Sequence, residues 1–390
     1  MTERVDDTGS DAAPPRPLPL LRAMVDALDR ELLQLAARRM ALVGEIAEYK
    51  RRHGVRIRDP RRERDVLEDR CRRAEALGLP RDEIESIFRL LLRASRDHQA
   101  ALRAEVSPTA EPRTVAVIGG AGRMGAMLVR LFGDLGHRVL MSDLDTELSS
   151  ADAAAGADVV VVSVPIADTE LVIRSVGPHV RPNALLMDVT SLKAGPVAAM
   201  LESTEASVVG THPMFGPGVH TLQGQRVVLC RARGDAWADW VAAMLGARGL
   251  IVTETTPERH DRAMAIVQVL THLQTQIFGL ALARSGVPLD ETLQFTSPAY
   301  LLELYVAARH FAQEPALYGP IEMWNPGTPS VADGLQAAAR EVADILASGD
   351  ASRFHAMFEE VRAYFGTFTE EALVQSAFLI DRLVERLPAG

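Results

Sequence analysis

The sequence predicts a three-part chain: an all-α domain, then a doubly wound α/β domain, then a second all-α domain. Three observations carry this. From Leu18 to about Leu102, apolar residues recur at helical spacing. From Arg113, short apolar runs (TVAVIG, RVLMS, ADVVVVSV, ALLMDV, SVVGTH, RVVLC, LIVTE) alternate with helical or loop stretches. From about Pro257 those runs stop, and Ala- and Leu-rich helical segments continue to Leu387.

Composition narrows the function classes. The chain has 390 residues, 47% of them hydrophobic, with no run of eighteen apolar residues, so a soluble protein with no membrane association is expected. Residues 1–17 (MTERVDDTGSDAAPPRP) lack the apolar h-region of a leader, and are expected to form a disordered tail. The net charge of −10 argues against nucleic-acid binding, although residues 18–103 lean basic. Cys71 and Cys230 show no metal-ligand spacing, so free thiols, a reducing cytoplasm and no metal are expected. Lysine appears only at Lys50 and Lys193, against forty arginines. A compact ammonium and a planar guanidinium are not interchangeable, so both lysines are candidates for ligand contact.

Taken in order, Leu18 to about Gly54 reads as one helix, with Leu21, Leu28, Leu32, Leu35, Leu42 and Ile46 at helical spacing. Roughly 35 residues span about 50 Å, longer than such a domain is wide, so an intertwined dimer is expected. Asp59-Pro60 reads as an N-cap followed by proline at the first helical position. That second helix runs to about Leu77, Gly78-Leu79-Pro80 breaks it, and a third runs from Arg81. Residues 104–112 read as a linker, 113–256 as the α/β domain and 257–388 as the helical C-terminal domain, a plausible dimer interface.

The first helix places Arg39 and Lys50, eleven residues apart, on one face together with its apolar stripe. Two cations in a core seam are expensive unless an anion meets them. In the third helix Ile84, Ile87 and Leu91 lead into Ser95 and Gln99 on one face. The stretch LRAMVDALDRELLQLAARRMALVGEIAEYKRRHGVRIRDPRRERDVL resembles the all-helical chorismate mutases, over about residues 18–102. That resemblance implies a pocket of Arg22, Arg39, Lys50, Asp59, Arg62, Glu63, Ser95 and Gln99, with Arg22 reaching into the pocket of a partner chain. Helix geometry agrees, since Arg22 points about 100° away from Arg39. Chorismate rearranges to prephenate without covalent help, so the enzyme holds the reactive conformer and stabilises charge on the breaking ether oxygen. Arg22, Arg39 and Arg62 suit the carboxylates, Lys50 and Gln99 the ether oxygen, and Glu63 the ring hydroxyl.

A second constellation follows the linker. Gly120-Ala121-Gly122-Arg123-Met124-Gly125 lies after a strand and before a helix, with Asp143 at the end of the next strand. In that context the glycine pattern marks a Rossmann-type dinucleotide site, and Asp143 is expected to bind the adenosine ribose and favour NAD over NADP. Ser163 and Pro165, in SVPI, are further candidate cofactor contacts. DVTSLKAGP (188–196) holds Ser191 and Lys193, and GTHPMFGP (210–217) places His212 at a strand end, where open α/β sheets bind ligands.

Together with ERHDRAMAIVQVLTH, SPAYLLEL and YFGTF, these segments resemble prephenate dehydrogenases. The order of the two halves resembles the bifunctional chorismate mutase–prephenate dehydrogenases. The resemblance implies that His212 is the catalytic histidine, hydrogen-bonded to the ring C4 hydroxyl while hydride leaves C4 for NAD and CO₂ is lost. It implies that Ser191 and Lys193 line the site, with His260, Gln268 and His272 nearby. One departure stands out: Leu301 occupies the position of an Arg that binds substrate carboxylate in the family, with Arg309 a candidate replacement. MWNPGTP (323–329) is a second departure. The expected function is chorismate to prephenate, then NAD-dependent oxidative decarboxylation to 4-hydroxyphenylpyruvate for tyrosine biosynthesis. One alternative is the parallel pair of reactions on 4-amino-4-deoxychorismate and 4-amino-4-deoxyprephenate. Another, of a different class, is a regulator that binds NAD or an aromatic ligand without turnover.

Overall fold

The computed structural model describes residues 16–53, 59–104, 111–219 and 221–384. Most of the expected tail and linker therefore lies outside the described residues. The chain divides into two compact units, residues 1–109 with 221–223 and 247–249, and the remainder.

Among its described residues the first unit contains three helices: α1 (Leu18–Arg52), α2 (Pro60–Ala76) and α3 (Arg81–Ala104). Asp59 caps α2 by accepting a hydrogen bond from the Arg62 amide at 3.0 Å, with Pro60 at the first helical position, where its missing N–H is harmless. The buried apolar residues of α1 are Val43 and Ala47. They share a face with Arg39 and Lys50, and Arg39 reaches α3 from it. The expected seam is therefore corrected. Leu28, Leu32, Leu35, Leu42 and Ile46, expected to be buried in that seam, are all exposed, by 47% to 63%. Leucine periodicity marks a face that wants cover, but does not say that this chain provides it.

The second unit begins with a seven-stranded sheet: β1 (Thr114–Ile118), β2 (Arg138–Ser142), β3 (Val159–Val162), β4 (Leu185–Asp188), β5 (Ser207–Pro213), β6 (Arg226–Arg233) and β7 (Ile251–Thr255). Their order is β2-β1-β3-β4-β5-β6-β7. All seven apolar runs form strands. β3 and β4 are buried at every residue, as strands covered on both faces should be. The helices α4 (Arg123–Asp134), α5 (Ser150–Gly156), α6 (Ile166–Val176), α7 (Ala194–Ser203) and α8 (Asp235–Ala247) connect the strands. The core lies between this sheet and α5, α6 and α7, built from residues such as Val160, Val162, Ile173, Leu186 and Met200. The sheet is not wholly parallel: β6 runs antiparallel to β5. The connection from Met214 to Gln225 shows no helix among its described residues, and a parallel crossover usually contains one.

The helical remainder starts with α9 (Pro257–Met264), a π-helical turn (Ala265–Leu270) and α10 (Thr271–Arg284) in unbroken succession. Then come α11 (Leu289–Gln294), α12 (Pro298–Phe311), α13 (Pro315–Trp324), α14 (Thr328–Ser348), α15 (Ala351–Phe365) and α16 (Phe368–Val384). The run Pro257–Arg284 is long and apolar enough to cross a membrane by length and composition alone. One side of it nevertheless bears His260, Gln268, His272 and Gln276 at four- and eight-residue spacing, a polar ridge aimed at the sheet's functional edge and its own domain.

Candidate active sites

In the helical unit, the Arg39 guanidinium donates to the Ser95 hydroxyl at 2.5 Å and to the Leu91 carbonyl at 3.2 Å. Burial, and then the charge of Arg70, push the Arg39 guanidinium below its ordinary pKa. A cation so placed is stabilised by an incoming anion. Ser95 and Gln99 are buried one turn apart on α3. The Gln99 amide donates to the Ser95 carbonyl at 3.1 Å, which leaves its Oε1 buried with no hydrogen-bond partner among the described residues. A buried polar atom without a partner marks a place where a ligand is wanted. Lys50 is half-buried on the Arg39 face, whereas Arg22, Asp59 and Arg62 are exposed. The carboxylate of Asp59 is engaged in capping α2. Glu63, expected for a ring hydroxyl, instead receives Arg96 at 2.8 Å, a half-buried pair that sequence reasoning missed.

In the second unit, the glycine loop joins β1 to α4. Gly119, the residue before the expected pattern, has φ of +82°, and a Cβ there would meet the Ser163 carbonyl at 2.4 Å. A Cβ on Gly125 would lie 2.0 Å from the Gly119 carbonyl. Gly122 precedes α4 and offers no side-chain cap, so the first amides of the helix remain available. Arg123 opens α4 and is exposed, and Met124 follows it half-buried. Asp143, just past β2, accepts from the Ala121 amide at 2.9 Å. Ser163 directly follows β3, and Pro165 precedes α6. Backbone amides at a bare helix start, no room for side chains and a carboxylate beside them suit the pyrophosphate and ribose of a dinucleotide.

His212 lies near the end of β5 and is 3% exposed. Its Nδ1 is 2.9 Å from Nε2 of the buried His260, whose Nδ1 is 2.7 Å from Asp261 Oδ1. The other ring nitrogen of His212, Nε2, lies 3.5 Å from the Gln268 amide nitrogen. Gln268 sits in the π-helical turn, and its Oε1 is buried without a partner among the described residues. Burial first, then the charges of Lys193 and His260, hold the His212 pKa well below that of an ordinary imidazole. The ring is therefore neutral and able to take a proton at neutral pH.

Lys193 requires a correction. It is wholly enclosed, its ammonium paired with the equally buried Asp188 and donating to the Thr211 carbonyl at 2.7 Å. It braces the strand that carries His212 instead of lining a substrate cavity. Burial raises the Asp188 pKa, although Lys193 opposes that rise. Ser191 is half-buried in the loop after β4. His272 joins a separate polar group on the C-terminal helices. Its Nδ1 is 3.3 Å from Glu322, which accepts from Gln276 at 2.9 Å, while the His310 ring stacks on Tyr318. Leu301 is 4% exposed on α12, and Arg309 is exposed on the same helix.

These features define a class: a helical domain with a buried polar and cationic pocket, joined to a nicotinamide-type dehydrogenase with a helical C-terminal domain. Family models agree. Chorismate mutase type II matches residues 21–100. The prephenate dehydrogenase nucleotide-binding domain matches 138–252, and its dimerization domain matches 256–360. The T-protein of Enterobacter agglomerans is 35% identical over 93% of this chain and 97% of its own length. The Haemophilus influenzae T-protein is 33% identical over 93% and 96%. A structure of the Aquifex aeolicus prephenate dehydrogenase, in complex with hydroxyphenyl propionate and NAD+, covers 66% of this chain and 98% of that chain. Its TM-score is 0.55 at 16% identity, which establishes the shared fold. The chain belongs to the bifunctional chorismate mutase–prephenate dehydrogenase family, the T-proteins. It is an isomerase and an NAD-dependent oxidoreductase on one polypeptide, of tyrosine biosynthesis.

Proposed function

We propose the following division of labour. Residues 18–103 form the mutase, 113–256 the NAD-binding domain and 257–388 the C-terminal domain, in a cytoplasmic homodimer. In the mutase, Arg39 and Arg62, with Arg22 from a second copy, hold the carboxylates of chorismate. Lys50 and Gln99 donate to the ether oxygen as its bond breaks, and Glu63 accepts from the ring hydroxyl. The dimer is supported by the uncovered leucines of α1, a stripe too large for a solvated surface.

In the dehydrogenase, Gly120, Gly122, Arg123, Met124 and Gly125 hold the pyrophosphate, Asp143 the adenosine ribose, and Ser163 and Pro165 flank the nicotinamide end. When bound, NAD supplies the hydride acceptor. His212 accepts the C4 hydroxyl proton of prephenate as the C4 hydride departs. The C1–carboxylate bond then breaks, its electron pair passes into the ring, and the C4 oxygen recovers a proton as the ring becomes aromatic. Ser191, His260 and Gln268 surround or orient this centre, and His272 lies one turn beyond Gln268 on the same helical run. The carrying observation is the enclosed, neutral His212 at the end of a sheet strand, with Nε2 turned toward Gln268.

Leu301 favours one second reading. Leu301 stands where the family has a carboxylate-binding cation, and Arg309, the candidate replacement, is exposed on the same helix. A parallel assay of chorismate, prephenate and their 4-amino analogues with NAD decides between the two. Higher kcat/KM for prephenate is expected, and higher kcat/KM for the 4-amino compound would replace it with the amino pathway.

A further inference from the structure

The base at position 212 is useful only in one tautomer, and the structure contains a device that selects it. We propose that Asp261 is a positioning residue for the dehydrogenation: acting through His260, it places the His212 proton on Nδ1 and leaves Nε2 bare toward the substrate.

Asp261 Oδ1 accepts from the Lys193 amide at 2.9 Å, and Oδ2 accepts from the Ala194 amide at 2.9 Å. Both amides belong to the start of α7, where a helix favours negative charge. Burial would raise the Asp261 pKa, but the His260 hydrogen bond and the two amides hold it below the usual carboxylate value. An ionised carboxylate only accepts, so the proton between it and His260, 2.7 Å away, belongs to His260 Nδ1. An imidazole ring carrying that single proton presents Nε2 as an acceptor. His212 Nδ1, at 2.9 Å, must be its donor. With Asp261 ionised and one proton on each ring, the assignments follow in turn, and the last makes His212 Nε2 the free lone pair.

Asp261 is itself pinned. Its carbonyl accepts from the buried Asn325 side chain at 2.9 Å, and Asn325 Oδ1 accepts from the Gly327 amide at 2.8 Å. The WNPG departure thus anchors the start of the relay. Other charged and titratable groups lie around the relay. Lys193, at the start of α7, disfavours its protonation, and Asp188 on β4 neutralises Lys193. Cys230 on β6 stays a thiol, its pKa pushed up to about 12, and Glu258 lies on α9 with the relay. Within the relay Asp261 is the group whose charge favours a proton on His212 at the moment of transfer.

The test uses the full-length enzyme. Asp261→Asn should lower dehydrogenase kcat by about a hundredfold, with mutase turnover unchanged and the KM for NAD within about twofold. Loss of the carboxylate charge makes His212 harder to protonate, so the acid limb of kcat/KM should move to lower pH or hold its place. Mere loosening of the fold would hydrate His212 and move that limb up toward the ordinary value of about 6.5. An upward shift, or a kcat within threefold of wild type, overturns the proposal. If Asp261→Asn loses NAD binding through misfolding, a second pair decides. His260→Gln keeps an acceptor for His212 Nδ1 and should retain about tenfold more activity than His260→Leu. Equal loss in the two also overturns the proposal. The inference rests on His212 as the base, which His212→Asn tests separately.

Discussion

Lys193 and Asp188 form an ion pair with no solvent exposure on either side chain. The most informative perturbation removes one partner. Lys193→Met keeps the length and strips the charge, leaving Asp188 buried and opposed by nothing. Breaking such a pair costs about 3–5 kcal/mol, because the remaining group must be desolvated unpaired or take up a proton. The Thr211 carbonyl loses its donor as well, a contribution of about 1–3 kcal/mol that overlaps the first. For a unit of this size, 3–5 kcal/mol lowers the melting temperature by roughly 10 °C. Calorimetry of the full chain measures it, with mutase activity as an internal control. Adding Asp188→Asn should recover about half of the loss, since no charge is then stranded. Lys193→Arg should resemble Lys193→Met, because a Cβ on Gly210 would already sit 3.3 Å from Lys193 Cδ and a guanidinium has no room. A loss below about 1 kcal/mol in Lys193→Met, or no recovery in the double variant, would refute the buried-pair reasoning.

Three further outcomes are expected. Gly125→Ala, whose Cβ would lie 2.0 Å from the Gly119 carbonyl, should weaken NAD binding by at least about tenfold in a fluorescence titration and leave the mutase intact. Asp143→Ala should weaken NAD and narrow its preference over NADP in paired kcat/KM measurements, whereas an unchanged ratio would count against the ribose contact. Inactive Arg22→Ala chains mixed with inactive Lys50→Ala chains should regain part of the mutase activity, and heterodimers without recovery would reject the shared pocket.

Much of this was legible in the sequence because burial on both faces of a sheet leaves continuous apolar runs, and all seven became strands. Strand direction was not. Val227 to Arg231 reads the same in either sense, and nothing within that run announces its reversal against β5. The α1 leucines announced an apolar face but not its cover. The lone Lys193 was correctly conspicuous, yet residue type cannot say whether an ammonium meets a ligand or a carboxylate of its own fold. Asp261 escaped notice inside ERHDRAM, since a His-Asp pair at a helix start is common and its partner amides lie 67 and 68 residues away. Gly119 was overlooked because the pattern of three spaced glycines starts one residue later. The π-helical turn that presents Gln268 has no sequence signal, because one extra residue per turn arises from packing.

The central claim is that one chain carries both steps, with His212 as the base of the second. Its most direct test feeds chorismate and NAD to wild type and to His212→Asn, following prephenate and NADH together. Wild type should form NADH and 4-hydroxyphenylpyruvate from chorismate alone. His212→Asn should accumulate prephenate at an unchanged rate with NADH formation lowered by at least about a hundredfold. NADH formation within a few fold of wild type in the variant, or none in wild type, would contradict the account.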